Sequence, residues 1–559
     1  MILRKLSVQR FRGIRALDWS PNGRVVCLVG PGDSTKTTII TAVEWALLPR
    51  WSLAVFDTDF YGATTAEPIR IEATVGDVPR SLLSDQKFGL AQRGWGTDGL
   101  HDEPEDGDDP VLTIRLTVDD SLEPRWEVVN DRQAEPRTIS ARDREALGAT
   151  RLGTDVERHL TWGRGSGLLR LTGSIEETGR TLASAYRAAR EVVDGAPLAD
   201  LTAAANQASS LARAAGAGPA QTYRPGLDAS AIGSGASALG LHEGSIPVRA
   251  AGLGTRRLVA LAIQRASYTE GGIVLVDEIE TGLEPHRLRH LLRHICADES
   301  GQLLMTTHSE IPIVELRCSD LGVVRSSDAI TTVQAVRSEL QAVVRRAPDA
   351  LLGRRLIVCE GKTEVGLCRS LDSAWTAAKG SPPADIGLAF VVGEGTSAPL
   401  NALHLAGLGY PTALLIDSDV AYDAGEADLT AAGVRVISWS GRVSTEERIL
   451  LDVPWAVVRE IVELASRMWV EDEPSAVTDS IASRLNQPSG TDIEDWLSSG
   501  KTQDQVRAAA GLAAKRSRWF KRTDMGEALG QLVVAALPSI EATDLAQKLG
   551  ALADWAYDI

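Results

Sequence analysis

Apolar and polar positions alternate along the first part of the chain in a way that predicts strands followed by a helix. Residues 3–11 and 16–20 alternate with a period of two, which is typical of strands with one buried face. Residues 25–30, VVCLVG, form an apolar run that predicts a buried strand. A loop containing glycine follows, and residues 36–48 then have the apolar spacing of a helix. This order predicts the beginning of a parallel sheet.

Similar segments continue for some 300 residues. Residues 68–75 and 111–120 predict two more strands. The acidic stretch between them, HDEPEDGDDP, lacks the ligand spacing of a calcium loop, so we interpret it as a solvated loop. The remaining elements predicted for this region are a helix at 252–266, a buried strand at 271–278, a helix at 286–297 and a strand at 302–309.

Residues 174–251 differ in composition from their neighbours. They are rich in Ala, Arg and Ser, first helical in pattern and then interrupted by glycine, which predicts a helical insertion or dimerisation region followed by a linker. A second alternation of strands and helices begins at RRLIVCEG, near residue 354. We therefore expect an α/β fold in which residues 1–173 and 252–346 form one domain and residues 347–559 form a second domain with C-terminal helices.

Composition narrows the class of protein. The chain has 559 residues, of which 44% are hydrophobic and 24% charged, the balance of a globular protein with two large domains. Five scattered cysteines without a CxxC pair indicate neither a disulfide framework nor a zinc site. No stretch contains the ~20 consecutive apolar residues of a membrane span. We expect a cytoplasmic protein that does not contact membranes.

The charge balance bears on nucleic-acid binding. The net charge is -17, from 58 basic and 75 acidic residues, which argues against a broadly basic surface. Two local stretches could still line a basic groove: RRLIVCEGK near Arg354, and KRSRWFKR from Lys515 to Arg522. Trp519 and Phe520 in the second stretch could stack on bases, or they could be core aromatics behind a solvated helix face. Composition does not separate these two readings.

The segment GPGDSTKTT, residues 30–38, lies where a phosphate-binding loop is expected, after a buried strand and before a helix. Lys36 would reach the terminal phosphates, and the Thr37 hydroxyl would hold Mg²⁺. Thr35 stands where glycine is expected, and a β-branched residue resists the positive φ values open to glycine. We therefore expect ATP binding with reduced affinity. The residues predicted to bind ATP in this loop are Gly30, Gly32, Asp33, Ser34, Lys36 and Thr37.

Three further motifs follow in order. The apolar strand in IVLVDEIETGLEP ends in Asp277, which would hold the Mg²⁺ of bound ATP, and Glu278, which would orient the attacking water. The next apolar strand ends in His308, which suits contact with the γ-phosphate. AGLGTRRLVALA keeps Gly254 of the LSGGQ signature. This order resembles the SMC/RecF branch of ABC ATPases, although heptads long enough for an SMC arm are missing. The resemblance implies heads that dimerise around two nucleotides.

Four carboxylates follow apolar strands in the second half of the chain. Glu360 follows LIVC, and Glu364 lies one helical turn further on. Asp417 and Asp419 end the strand TALLIDSDV, where alternation places both on one face. Oxygen-rich sites of this kind suit Mg²⁺ or Mn²⁺. The joint pattern predicts a metal site at the ends of parallel strands.

The motifs EGKTE and DSD resemble the TOPRIM module of topoisomerases, primases and certain nucleases. Together with the head, the chain resembles the OLD family of nucleases. The resemblance implies an ABC-type ATPase head with a helical insertion, followed by a Rossmann-like TOPRIM domain. It also implies an acidic residue in a TxExxL context, matched by Glu447 with Glu446 as a substitute, and a late lysine, matched by Lys521 or by Lys515.

The resemblance further implies two-metal cleavage of phosphodiester bonds. Glu364, Asp417, Asp419 and Glu447 would share the metal ions, with Glu360 as a ligand or general base. Lys521 would neutralise charge in the transition state.

The leading hypothesis is an ATP-regulated DNA endonuclease of bacterial antiphage defence, which forms a homodimer or higher oligomer through its heads and works with a helicase or sensor partner. A second hypothesis replaces DNA with RNA such as tRNA. A third, from another class, is a nucleotide-switched scaffold that holds a partner without cleaving anything. A topoisomerase is disfavoured because Tyr410 directly precedes the DSD strand and a separate tyrosine-bearing domain is not apparent. A primase is disfavoured because its usual zinc module is missing.

Overall fold

The structure is a computed structural model of the 559-residue chain. It describes residues 1–50, 52–133, 135–153, 156–162, 166–172, 176–214, 224–225, 239–266, 271–297, 301–419, 425–469 and 475–558. Most of the glycine-rich linker predicted before residue 251 lies outside the described residues. The fold is mixed α/β, with one large sheet and one smaller parallel sheet.

In the described part of the chain, the large sheet has fourteen strands, in the order β10-β13-β14-β3-β15-β16-β2-β1-β4-β7-β5-β6, with β8 beside β7 and β9 beside β8. Their bounds are β1 Ile2–Phe11, β2 Ile14–Trp19, β3 Val25–Val29, β4 Ile69–Gly76, β5 Arg93–Gly96, β6 Gly99–His101, β7 Asp109–Val118, β8 Pro124–Val129, β9 Arg137–Thr138, β10 Thr150–Leu152, β13 Ile273–Val276, β14 Gln302–Thr306, β15 Leu321–Ser327 and β16 Ile330–Ala335. A short hairpin contains β11 His242–Glu243 and β12 Ile246–Pro247.

The large sheet is parallel at one end and mainly antiparallel at the other. Strands β10, β13, β14, β3 and β15 are parallel neighbours, so the loops after β3, β13 and β14 meet at one edge. The strands predicted at 68–75 and 111–120 form as β4 and β7. The intervening segment contains the β5–β6 hairpin, which its polar sequence did not predict. His101 of that hairpin hydrogen-bonds Asp98 and Asp108, both at 2.8 Å.

The helices around this sheet are α1 Lys36–Leu47, α2 Ala141–Ala146, α3 Val156–His159, α4 Gly167–Thr172, α5 Glu176–Gly195, α6 Ala199–Ala214, α7 Leu253–Ala266, α8 Pro285–Cys296, α9 Glu310–Glu315 and α10 Gln341–Arg346. The helices predicted at 36–48, 252–266 and 286–297 form as α1, α7 and α8. Within the described residues, none of the helices is both long and apolar enough to cross a membrane.

The smaller sheet has four parallel strands in the order β18-β17-β19-β20, with β17 Arg355–Cys359, β18 Leu388–Val392, β19 Thr412–Ile416 and β20 Arg435–Ser438. The helices that accompany it are α11 Lys362–Ser370, α12 Asp372–Lys379, α13 Ala398–Gly407, α14 Glu426–Ala431 and α15 Thr445–Asp452. A helical region follows with α16 Trp455–Trp469, α17 Ser475–Leu485, α18 Ile493–Ser498, α19 Gln503–Ser517, α20 Thr523–Ala536 and α21 Asp544–Tyr557.

The two faces of the smaller sheet belong to different cores. Ile357 and Leu415 face a core shared with the C-terminal helices. Leu356 and Val358 face a core that continues into the parallel part of the large sheet. Alternation along a strand produces this division, because successive side chains point to opposite faces. One face of the smaller sheet therefore shares an apolar core with the parallel part of the large sheet.

Trp519 and Phe520 are fully buried in the core beneath the C-terminal helices. Their rings contact each other edge to face, with centroids 6.4 Å apart. The reading in which they stack on nucleic-acid bases is therefore wrong, and the alternative reading as core aromatics is correct.

Candidate functional site

The first candidate site is the loop between β3 and α1. Lys36 is buried, and its ammonium group donates hydrogen bonds to the carbonyls of Gly30 at 2.9 Å and Pro31 at 2.7 Å and to Ser34 Oγ at 3.1 Å. Burial lowers the pKa of Lys36 to about 8. Gly30 has φ +143°, and a β-carbon there would lie 2.5 Å from the Val324 carbonyl. The loop therefore closes around the lysine, and its first position requires glycine.

Thr35 adopts the left-handed conformation that the missing glycine would have taken, with φ 70° and ψ 15°. This conformation costs a β-branched residue about 1–2 kcal/mol. The Thr35 hydroxyl lies 3.1 Å from the Thr331 hydroxyl on β16, a contact that holds the strained residue. Gly32 lies in the same turn, where Asp33 also has a positive φ of 61°. Thr35 therefore adopts the backbone conformation that glycine was expected to supply at this position.

Asp277 lies at the end of β13, directly opposite this loop. Its Oδ1 accepts hydrogen bonds from the hydroxyls of Thr37 at 3.1 Å and Thr306 at 2.6 Å. Its Oδ2 accepts a hydrogen bond at 2.8 Å from Arg151, which lies on the edge strand β10 and also pairs with Glu44 of α1. The structure therefore brings Thr37 and Asp277 together as the motifs predicted. Sequence reasoning missed Arg151, because a three-residue edge strand has no pattern of its own.

The other predicted nucleotide residues lie around the same edge. Glu278 has φ 45°, and its N–H donates to Thr306 Oγ1 at 2.8 Å. His308 is exposed, and its N–H donates at 2.6 Å to Glu280, a carboxylate that sequence reasoning missed. Gly254 is buried at the start of α7, where a β-carbon would lie 2.5 Å from the Gly282 carbonyl. These contacts assemble the loops after β3, β13 and β14 into one site.

The second candidate site lies at the carboxyl edge of the smaller sheet. Glu360 follows β17, and its Oε2 accepts the Asp417 N–H at 2.9 Å. Asp417 follows β19, and its Oδ1 accepts the N–H and the hydroxyl of Thr445, both at 2.8 Å. Glu364, in the first turn of α11, accepts the Gly361 N–H at 2.8 Å. The predicted acids therefore meet where the ends of β17 and β19 approach the start of α15.

Two lysines from the C-terminal helical region reach this edge, and they contact different acids. Lys521 lies 3.2 Å from Glu446, which is fully buried. Lys515 contacts Asp419 and lies 3.6 Å from Glu447. The sequence left Glu446 or Glu447, and Lys521 or Lys515, as alternatives. The structure places all four at the site.

Two acids near Lys521, Asp417 and Glu364, have raised pKa values. Burial, together with Glu364, Glu360 and Glu446, raises the pKa of Asp417 to about 8. Burial raises the pKa of Glu364 above its ordinary value, and Lys521 opposes this shift. Burial by itself lowers the pKa of Lys521, but the neighbouring carboxylates outweigh it and raise that pKa above its ordinary value. The lysine therefore stays protonated.

The carboxylate oxygens of this cluster are donors of the kind that a hard divalent cation prefers. Glu364 Oε1 and Glu446 Oε2 are buried and have no hydrogen-bond partner within the described part of the chain. Buried carboxylate oxygens without partners are costly, and a bound cation would satisfy them. Across the described residues, no three carboxylate, imidazole or thiol groups already have the arrangement of a metal-ligand set. Lys515 and Lys521 instead occupy the space beside the acids.

Comparisons with known proteins bear on the first site. Residues 236–313, which contain Gly254, Asp277, Glu278 and His308, match a family described as "AAA domain, putative AbiEii toxin, Type IV TA system". None of the curated proteins compared matches the chain.

Part of the chain is similar to solved SMC heads. One, bound to the C-winged helix domain of ScpA, has 15% identity and a TM-score of 0.37 over 61% of this chain and 100% of its own. The SMC head domain from Thermotoga maritima has 14% identity and a TM-score of 0.29, over 60% of this chain and 100% of its own. The Pyrococcus furiosus Smc head with an extended coiled coil, bound to the C-terminal domain of ScpA, has 12% identity and a TM-score of 0.36, with 62% and 98% covered. The chain thus contains a segment similar to AAA-type ATPases and is similar in part to SMC ATPase heads.

Proposed function

We propose that this protein is an ATP-regulated, divalent-metal-dependent endonuclease that cleaves DNA at the acidic edge of the smaller sheet. The observation that carries the proposal is the convergence of Glu360, Glu364, Asp417 and Glu446 on Lys521 at the ends of parallel strands. Acids that converge at strand ends, with unpaired oxygens and a charged lysine, are suited to phosphodiester chemistry. The resemblance of EGKTE and DSD to TOPRIM nucleases supports the same reaction.

Two neighbouring groups of acidic residues would each hold one cation. Glu364, Asp417 and Glu446 would hold one cation, and Asp419 with Glu447 would hold a second after Lys515 moves aside. Bound Mg²⁺ or Mn²⁺ would supply a Lewis acid and lower the pKa of a coordinated water. Glu360 orients Asp417 through its backbone N–H. Lys521, held protonated by its neighbours, would stabilise negative charge on the phosphate.

The first site would bind ATP and regulate cleavage. Lys36 leaves its carbonyl partners to reach the phosphates, and Thr37 with Asp277 would hold the Mg²⁺ of the nucleotide. Gly254 of a second head would complete the site across a dimer, and His308 would contact the γ-phosphate. The strained Thr35 supports a loop that binds ATP with slow turnover or none. The family resemblance supports a role in bacterial defence against phage.

The reaction can be tested with plasmid DNA and total tRNA as parallel substrates. The protein is incubated with Mg²⁺, Mn²⁺ or EDTA, each with and without ATP. We expect plasmid cleavage that requires a divalent ion and falls at least about 100-fold in Asp417→Asn and Glu364→Gln, because these acids contact the metal directly. Asp18→Asn is the control, because Asp18 lies on β2 of the large sheet and not at the acidic site. Its carboxylate forms a surface ion pair with Lys5 at 3.0 Å.

Each outcome has a definite reading. Cleavage of tRNA but not of plasmid would show that the same site acts on RNA rather than on DNA. Equal cleavage by wild type and Asp417→Asn would refute the nuclease assignment. If phage protection also persisted in that variant, the nucleotide-switched scaffold would become the better hypothesis.

A further inference from the structure

Helix α8 exposes an entirely basic face in a chain whose net charge is -17. Its sequence, PHRLRHLLRHIC, contains three arginines, three histidines and no acidic residue. The apolar side chains, which are spaced by three and four residues, are buried beneath it: Leu288, Leu291, Leu292 and Ile295. The exposed side chains on the opposite face are His286, Arg289, His290, Arg293 and His294.

The basic side chains of this face repeat at the spacing of one helical turn. His286, His290 and His294 follow one another at intervals of four residues, and Arg289 and Arg293 do the same. Four residues advance a helix by about 6 Å. The face therefore presents two parallel rows of hydrogen-bond donors with regular spacing.

The acids around α8 neutralise this face incompletely. Glu315 of α9 lies 2.9 Å from Arg289 and 3.8 Å from Arg293, so one carboxylate is shared by two guanidinium groups. Such exposed ion pairs contribute little to stability, and the guanidinium groups exchange their carboxylate readily for another anion. Arg265 of α7 adds a further guanidinium beside the end of the helix, where it donates to the His294 carbonyl at 3.1 Å.

We infer that the exposed face of α8 is a binding surface for the phosphate backbone of duplex DNA. The inference rests on the proposed function, because it places the DNA of that reaction on the ATPase head as well as at the acidic site. A chain with this net charge repels DNA over most of its surface, so a dense local patch of arginine is needed to hold a backbone. Guanidinium and imidazole groups at regular spacing contact phosphates without reading sequence.

The side chains of this face favour a nucleic acid over a protein partner. Protein interfaces bury an apolar centre surrounded by polar groups. The outward face of α8 carries arginine and histidine instead, and its leucines point into the core. An apolar cavity of about 440 Å³ between α7 and α8 is lined by Leu258 and Leu261 and, from this face, by His290 and His294. A protein partner that inserted an apolar side chain there would bind without the salt dependence of phosphate contacts, so the salt dependence of binding separates the two occupants.

Helix α8 also adjoins the nucleotide motifs. It begins shortly after the loop that carries Glu278, and Arg287 donates to Thr255 on α7 at 3.1 Å. Helix α7 in turn contributes Arg257, which donates to the carbonyls of Asp277 at 3.1 Å and Glu278 at 2.7 Å. DNA bound on α8 would therefore lie one packing contact from the ATP site.

The surface is tested by the salt dependence of DNA binding. Fluorescence anisotropy measures the affinity of the full chain for a short labelled duplex in EDTA, so that cleavage does not interfere. We expect Arg289→Gln with Arg293→Gln to weaken binding at least about tenfold and to reduce the slope of log K against log salt by about 2, since two phosphate contacts are lost. Arg289→Lys with Arg293→Lys should retain most of the binding.

Two controls separate this inference from the proposed function. Arg125→Gln with Arg459→Gln removes two exposed arginines elsewhere and should leave the affinity and the slope unchanged. Asp417→Asn should bind DNA normally without cutting it. Unchanged affinity and slope in the α8 glutamine variant would overturn the surface and leave the nuclease assignment intact. If DNA binding depended on α8 but the wild-type protein never cleaved DNA, the binding surface would be supported and the nuclease assignment would be refuted.

Discussion

The environment of Asp417 departs far from that of a free side chain. Its carboxyl group is buried among Glu364, Glu360 and Glu446, and its pKa rises from 3.8 to about 8. The group accepts two hydrogen bonds from Thr445, which fix it at the end of β19. A carboxyl group in this state exchanges its proton for a metal ion as the pH rises.

The stability of the metal-free protein should therefore fall as the pH rises. Between pH 3.8 and about 8 the folded state keeps a proton on Asp417 that the unfolded chain has released. Stability from this group is thus complete below the unfolded pKa and is lost as the pH rises through the folded value. Thermal unfolding in EDTA across this range should show the decline. Asp417→Asn should flatten it, and Mg²⁺ should restore stability at high pH. A profile equally steep in the asparagine variant would contradict the assignment.

Single residues also show what the sequence could and could not predict. The left-handed backbone conformation of Thr35 could be predicted from the sequence, because this type of loop has glycine with a positive φ at that position. The sequence did not predict which of Glu446 and Glu447 faces Lys521. Both lie in the first turn of α15, and their positions in the sequence do not fix the direction of their side chains. Arg151 and Glu280 were missed, because their partners lie on other strands. Contacts between distant segments leave no local pattern.

Strand β17 is the element that connects the two candidate sites. Arg354 immediately precedes it and lies 3.9 Å from Asp33 of the phosphate loop, with side chains 57% and 98% exposed. Arg325 of β15 donates to the Arg354 carbonyl at 3.3 Å and stacks on Tyr410 at 4.7 Å. The far end of β17 delivers Glu360 to the acidic site. A nucleotide that displaces Asp33 would therefore change the contacts at the start of β17. Glu360 of the acidic site follows the other end of this five-residue strand.

Removing this connection should weaken the effect of ATP on cleavage. In Arg354→Gln the ratio of cleavage rates with and without ATP should approach one, because Asp33 no longer has its partner directly before β17. The measurement is the plasmid cleavage rate over a range of ATP concentrations. Arg459→Gln is the matched control, since Arg459 is similarly exposed and pairs with Glu494 at 2.7 Å. If ATP changed the rate of Arg354→Gln as it changes the wild type, regulation would take another route.

Elements with strong periodicity were the ones that the sequence predicted. Strands β3, β13 and β14 are apolar runs, and α8 buries a regular apolar stripe, so burial alone specifies them. The β5–β6 hairpin and the edge strand β10 are short and polar, and tertiary pairing decides their form. The two basic stretches also needed the structure, because burial of Trp519 and Phe520 depends on how α19 and α20 pack.

At the scale of the whole molecule, the two sheets share a core although the sequence pattern divides the chain near residue 347. Buried side chains from the smaller sheet, such as Leu356 and Val358, belong to the same cluster as Val29 and Met305 of the large sheet. Each such side chain contributes about 1.5–3 kcal/mol when it is fully buried. A continuous core couples the stability of its parts, so changes at one sheet are transmitted to the other.

The pieces 1–346 and 347–559 should therefore not fold separately to the stability of the full chain. Cutting there exposes Leu351, Leu356 and Val358 on one piece and Val323 and Val343 on the other. We expect each piece alone to aggregate or to unfold at a clearly lower temperature, and the co-expressed pieces to associate and recover much of the lost stability. Size-exclusion chromatography and thermal unfolding measure both effects. A fragment 347–559 that is monomeric and melts cooperatively at the temperature of the intact chain would show that the sheets are energetically independent, and the proposed coupling through β17 would then lack its rigid base.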